Sequence, residues 1–247
     1  MPRSSWPPYQ TVRPLIHSQV GRMAVIQGGG PTLDAGMAIC PGEALYLSVN
    51  DHGCKYFLRH PEHPARASYI VACDKIEPRV RLHKLPVFSR HMWADFRILY
   101  MPAPSSGMAA AWVARMLGCA PIVILGMDCF AGATYADDPK ARSTGHNIPP
   151  RVHLQRWRKF AKEFPAQYRV IGCHPELSKI LGAYVADEPA AAPVPREQLE
   201  IDLRGVRVRI TRPGTVVSMR DFEPGTELEL GRAEAEAIIK QRKGMRL

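Results

Sequence analysis

Ser105-Ser106-Gly107-Met108-Ala109-Ala110-Ala111-Trp112-Val113-Ala114-Arg115-Met116-Leu117-Gly118, followed by Pro121-Ile122-Val123-Ile124-Leu125-Gly126, decides the fold. The first run consists of strong helix formers and stops at Gly118, a residue suited to the position just past a helix end. The second run is continuously apolar. A strand apolar on both faces belongs inside a sheet covered on both sides, which is the parallel type.

Working outward, the same alternation continues. Upstream, Met23-Ala24-Val25-Ile26-Gln27 is a short apolar run closed by Gly28-Gly29-Gly30-Pro31, and so reads as a buried strand. Thr32-Leu33-Asp34 opens a short helix with Thr32 as its expected N-cap. Residues 44–50 and 68–74 read as two further strands, and Arg97-Ile98-Leu99-Tyr100-Met101 as a fourth. Downstream, a polar stretch from Gly132 to Pro150 precedes Trp157, Phe160, Ala161 and Phe164 at helical spacing, with Arg156, Arg158, Lys159 and Lys162 mostly elsewhere on the turn. Residues 168–173 are a strand and Glu176 to Leu181 a short helix. The expected fold is α/β, a Rossmann-like, doubly wound, mostly parallel sheet.

The expected division is an N-terminal arm at 1–21, a nucleotide-binding transferase domain at 22–185, a Pro/Ala linker at 186–196 and a small β/α module at 197–247. In the last piece Val206-Arg207-Val208-Arg209-Ile210 alternates as an amphipathic strand, Pro224-Gly225 turns, Glu227-Leu228-Glu229-Leu230 is a second strand, and Arg232 to Lys243 a terminal helix. That appendage is too small to build much core alone, so it is expected to pack on the main domain, a second copy or another partner.

Composition bounds the function. The chain has 247 residues, 46% hydrophobic and 23% charged, enough for one sizeable core. Lys and Arg number 33 against 23 Asp and Glu, a net charge of +10, which suits a polyanionic partner or phosphate-bearing ligand as well as a merely basic surface. No run is long enough for a membrane span, and Met1 to Pro8 has no apolar signal region, so a cytoplasmic protein is expected. The six cysteines form no C-x-x-C pair and mostly sit in apolar runs, which argues against a zinc ribbon or a disulfide framework.

In an open α/β sheet, ligands bind beyond the carboxyl ends of the strands. Gly28, Gly29 and Gly30 lie there, where glycine lets backbone N–H groups approach an anion. Ser105, Ser106 and Gly107 combine a helix start with two hydroxyls. Asn50 and Asp128 close other strands. His146, in the polar loop, is suited to act as a general base, and Tyr135 can donate to a phosphate oxygen. Each feature also has an ordinary structural reading, as a turn, an N-cap, a loop cap or a solvated side chain. Asp137 and Asp138 have no partner pattern for a metal, so none is predicted.

The ordered set is Gly28-Gly29-Gly30-Pro31-Thr32-Leu33, Asn50, Asp74, Ser106-Gly107 with its Ala-rich helix, Ile124-Leu125-Gly126-Met127-Asp128, Gly145-His146, Trp157, and Pro175 with Ser178. Over residues 22 to 184 it resembles the superfamily of bacterial CMP-sialic acid-dependent sialyltransferases, which also holds 6-hydroxymethylpterin diphosphokinase-like proteins and phage or prophage proteins. The phage-type members are the most similar in style. The resemblance implies that Gly28–Gly30, Asn50, Ser105–Gly107 and Asp128 hold a donor nucleotide, Tyr135 steadies the leaving phosphate, and His146 deprotonates an acceptor hydroxyl. It departs from the family's pattern at Gly29, where Asn is usual, at Phe130, where a second phenol is expected, and at Ala103-Pro104, ahead of the Ser-Gly pair, where a basic residue is expected.

Three readings follow. The favoured one is a nucleotide-sugar-dependent glycosyltransferase needing no obligatory metal, acting on a hydroxyl acceptor such as a glycan or modified DNA. The second is a diphosphokinase-like enzyme, which requires Mg²⁺. The third is a non-enzymatic phage structural or DNA-associated protein, working in the host cytoplasm and contacting a phage particle through its C-terminal module.

Overall fold

The computed structural model describes residues 12–73, 76–91, 93–98, 105–127, 135–136, 149–173, 175–204, 206–210, 215–217, 220–222, 224, 227–230, 238–240 and 244–246. Its centre is a seven-stranded sheet: β1 (Ala24–Gln27), β2 (Leu45–Val49), β3 (Ala67–Val71), β4 (Val87–Ser89), β5 (Phe96–Arg97), β6 (Ile122–Leu125) and β7 (Tyr168–Val170). Their order is β5-β4-β3-β2-β1-β6-β7 and every pairing is parallel. This is the Rossmann-like α/β fold. The chain builds outward from β1 to β5, then returns to lay β6 on the other side of β1. The switch in strand order therefore falls between β1 and β6, where such sheets open a crevice.

Alternation along the strands explains why β1 and β6 read as apolar throughout. Ala24, Ile26, Ile122 and Ile124 join one buried cluster, while Val25, Val123 and Leu125 join the other. The second cluster is closed by α1 (Leu33–Met37), α2 (His52–Arg59) and α3 (Glu77–Arg81), the first by α4 (Ser106–Met116), α5 (Pro150–Glu163) and α6 (Pro175–Leu181). Every residue of α4 is buried, since the helix lies on the sheet and is itself covered by the surrounding chain. That is the physical reason for its alanines: a helix enclosed on all sides needs small side chains on the close faces.

Several expectations need correction. Thr32 precedes α1, but its side chain makes no capping hydrogen bond there. The strand expected at 97–101 is only the two residues of β5, and β4 precedes it; residues 99–101 lie outside the described residues. Helices α2 and α3 stand where no helix is expected, and α5 starts at Pro150, inside the boundary of the expected polar stretch. Regular structure starts before Met23: a 3-10 turn spans Arg13–Leu15, Val12 and Ile16 are buried, and the amides of His17, Gln19 and Gly21 donate to Met116, Leu117 and Gly118 carbonyls. Residues 12–21, read from sequence as part of an arm, thus fold against the end of α4.

The segment after Tyr184 is tied down as well. Gln167 donates to the Pro189 carbonyl and accepts from the Ala191 amide, and Arg169 pairs with Glu188. Helix α7 (Arg196–Arg204) sends Leu199 and Leu203 into the core of the main sheet. Beyond it, β8 (Val206–Ile210) pairs antiparallel with β11 (Glu227–Leu230) and β12 (Gly244–Arg246), and β9 (Thr215–Val217) with β10 (Arg220–Phe222). Of the expected terminal helix, residues 238–240 are helical; 231–237 and 241–243 lie outside the described residues. No helix among the described residues is long and apolar enough to cross a membrane.

Candidate functional site at the sheet's carboxyl edge

The turns that leave β1 and β6 are locked together. Gly28 N–H donates to the Leu125 carbonyl at 2.9 Å, and Gly30 N–H to the Gly126 carbonyl at 2.7 Å. A Cβ at Gly28 would stand 2.4 Å from the Gly126 carbonyl oxygen, and Gly126 itself holds φ at +60°. The glycines here are thus required by the approach of two backbones. The middle residue differs. Gly29 accepts from the Ala136 amide at 2.8 Å, but its own N–H takes no partner among the described residues.

The His52 ring lies flat on Gly29, so that a Cβ there would meet three ring atoms at 2.7 Å. Tyr135 stacks on His52, with centroids 4.6 Å apart and planes 29° apart. Gly29, His52 and Tyr135 therefore form one packed unit. This gives a steric reason why position 29 is glycine: a larger side chain and the imidazole compete for one space. His52 is the residue that sequence reasoning missed. Its signal was Asn50-Asp51-His52 directly after an apolar strand, a strand-to-helix turn like the two that were noticed.

Asn50 closes β2 with φ at 54°, a conformation asparagine tolerates better than most residues. Its carbonyl accepts from the Ser48 hydroxyl at 3.0 Å, and Ser48 Oγ in turn accepts from the Gly53 and Cys54 amides at 2.9 and 3.3 Å. Ser48 thus supplies the first turn of α2 from the neighbouring strand. Asn50 Oδ1 is buried and has no hydrogen-bond partner; Gln27 Oε1, at the end of adjacent β1, is in the same state. Leaving a buried acceptor unpaired costs about 1–3 kcal/mol, so two at one sheet edge mark a place where something else is expected to donate. Asp51, fully buried, is held by Arg79 at 2.8 Å and Lys55 at 3.3 Å. Burial pushes the Cys54 thiol up to about 11, so it stays protonated at neutral pH.

At the start of α4 the polar groups have internal partners. Ser105 Oγ accepts from the Met108 amide at 3.4 Å, an N-cap. Ser106 Oγ accepts from the buried Cys73 amide at 3.0 Å, tying the helix to the end of β3. Gly107 lies beneath Met127, whose methyl carbon would be 2.6 Å from an added Cβ.

The structure thus brings Gly28–Gly30, Asn50, Ser105–Gly107 and Tyr135 to the same edge of one sheet. Asp128 and His146 lie outside the described residues. Among the described residues, no three His, Cys, Asp or Glu side chains gather as a metal site would need.

No protein-family model and no curated protein matches the chain. Solved structures of the sialyltransferase CstII from Campylobacter jejuni are similar in outline. One, in complex with cytidine-5'-monophosphate, is 14% identical, covers 73% of this chain and 96% of its own, and has a TM-score of 0.39. Another, with a trisaccharide acceptor and CMP, is 12% identical, covers 91% and 100%, and has a TM-score of 0.38.

Proposed function

We propose that the chain is a nucleotide-sugar-dependent glycosyltransferase that binds its donor at the crevice between β1 and β6. The observation that carries this is the unmatched hydrogen bonding there. The Gly29 N–H suits a phosphate oxygen, and the side-chain Oδ1 of Asn50 suits an N–H or O–H of a base or ribose. The start of α4 forms a further wall of the site. Asp128 joins the nucleotide pocket.

In the reaction proposed, an acceptor hydroxyl oxygen forms a bond to the anomeric carbon of the sugar. The bond from that carbon to the phosphate oxygen breaks, and its electron pair leaves with the nucleoside phosphate. His146 takes the hydroxyl proton as general base. Tyr135 moves from its stack on His52 to donate to the departing phosphate, which lowers the cost of the charge developing there.

A thermal-shift panel of CMP, nucleoside diphosphates and their sugars tests the reading. At least one is expected to raise the melting temperature, and His146→Ala is expected to abolish transfer while leaving that shift intact. A flat response to the whole panel would overturn it.

A further inference from the structure

Helix α5 carries a stripe of cations on its exposed face. Its buried side is formed by His153, Trp157 and Phe160, and Phe164 follows just beyond its end. Diametrically opposite, at the spacing i, i+4, i+7, i+8, i+11, stand Arg151, Gln155, Arg158, Lys159 and Lys162, all exposed. This face has four cations and no acid. None of the four makes an ion pair or hydrogen bond among the described residues. Several other cations among the described residues are paired: Arg59 with Asp34, Arg81 with Asp95, Arg79 with Asp51, Lys179 with Glu176 and Arg196 with Glu200.

Within the stripe some charges oppose one another, although Lys162 in the last turn suits the helix dipole and Glu163 stands at i,i+4 from Lys159. Lys162 repels Arg158 at i,i+4 and Lys159 at i,i+3. Arg151 lies in the first turn, where the helix dipole favours an acid, and no acid is there. An exposed face of four cations with no ion-pair partner among the described residues is fitted to a partner that supplies negative charge.

We propose that this face of α5 is a docking surface for the phosphodiester backbone of a nucleic acid. The four charges extend over about 16 Å of helix axis, and two are guanidinium groups, which suit phosphate oxygens in bidentate geometry. The face holds no apolar side chain to enter a lipid headgroup layer, and the exposed large hydrophobics among the described residues, Val20, Ile39, Leu58, Leu82 and Val185, lie on other segments. Since α5 follows β6 and precedes parallel β7, it starts at the carboxyl edge of the sheet, so a bound strand would run from the rim of the crevice down the outside of the molecule. The surface is separate from the crevice, and the inference stands whether or not the chain transfers a sugar.

Fluorescence anisotropy of the full chain with a short labelled DNA duplex tests it, across about 50 to 200 mM salt. Four phosphate contacts predict that log K falls against log salt with a slope of about −3.6. Arg158→Gln alone is expected to reduce that slope by about one unit, and the variant with Arg151, Arg158, Lys159 and Lys162 all changed to Gln to bring it close to zero. Because all four side chains are exposed, both variants are expected to melt like the parent, which circular dichroism checks. A slope unchanged in the fourfold variant, no binding by the parent, or preference for phosphatidylserine vesicles over the duplex would overturn the proposal.

Discussion

Two corners of the sheet edge look alike in sequence and differ in the structure. Gly28-Gly29-Gly30 and Ser105-Ser106-Gly107 both put small residues where the chain passes from a strand towards a helix. At the second corner the hydroxyls serve the fold, one capping α4 and one holding the Cys73 amide. At the first, the outer glycines serve the fold and the middle N–H does not, with the orphaned Asn50 oxygen nearby in the chain of turns. A Gly- or Ser-rich turn is therefore weak as a sign of ligand binding. The discriminating feature is whether its polar atoms are already paired.

The same substitution separates the corners most strongly. Gly28→Ala sets a methyl 2.4 Å from a backbone oxygen held between two strands, with no flexible atom to yield. It is expected to lower stability by about 3 kcal/mol, read from the urea midpoint at unchanged m-value. Gly107→Ala meets the end of the Met127 side chain instead, which can swing away, and a helical alanine recovers up to about 1 kcal/mol of propensity. That variant is expected to stay within about 1 kcal/mol of the parent. Equal losses at the two sites would break the distinction.

Polar deletions come next. Ser106→Ala leaves the buried Cys73 N–H without its acceptor and is expected to cost about 2 kcal/mol, with little change in nucleotide affinity. Asn50→Gly removes a side-chain oxygen that pairs with nothing, at a φ glycine adopts freely; relief of the unpaired acceptor and the added backbone entropy of glycine oppose each other, so stability is expected to change by less than about 1 kcal/mol. If Asn50 meets the donor, nucleotide affinity falls about tenfold in the same variant. Calorimetric titration of both variants with the best nucleotide of the panel separates the roles.

These particulars also show what could be read from the chain alone. The cores of β1, β2, β3, β6 and β7 and almost the whole of α4 were legible, because each contains an apolar run, with Gly or Pro boundaries beside β1, β6 and α4. Strand β4 was lost since three residues are too few to show a period, and β5 was expected at 97–101 where the strand spans Phe96–Arg97. Helix α2 was lost for a different reason: its cap is Ser48, which precedes it across the turn and reads as a strand residue. With α2 went His52, whose role depends on lying against Gly29, 23 residues earlier, a contact no local pattern announces. The pairing of Ser106 with Cys73 is of the same kind.

At neutral pH the smallest expected effect lies at Cys54, which reports on the first corner without belonging to its chemistry. Its amide rests on Ser48, and burial holds its thiol at about 11, against an ordinary value near 8.5. The folded state thus favours the neutral thiol. That contribution is fully present below the unfolded value and is lost as pH rises through about 11, so stability should decline over that interval by more in the parent than in Cys54→Ala. Below pH 9 the same protonation makes alkylation of Cys54 by iodoacetamide slow, and peptide mapping by mass spectrometry should find it largely unmodified while the native state persists. Ser48→Ala removes the acceptor that two amides at the start of α2 share, so local opening should become easier and modification of Cys54 faster. If Ser48→Ala left the rate unchanged while Ser106→Ala raised it, the end of β2 would depend on the second corner, and the separation between the two would fail.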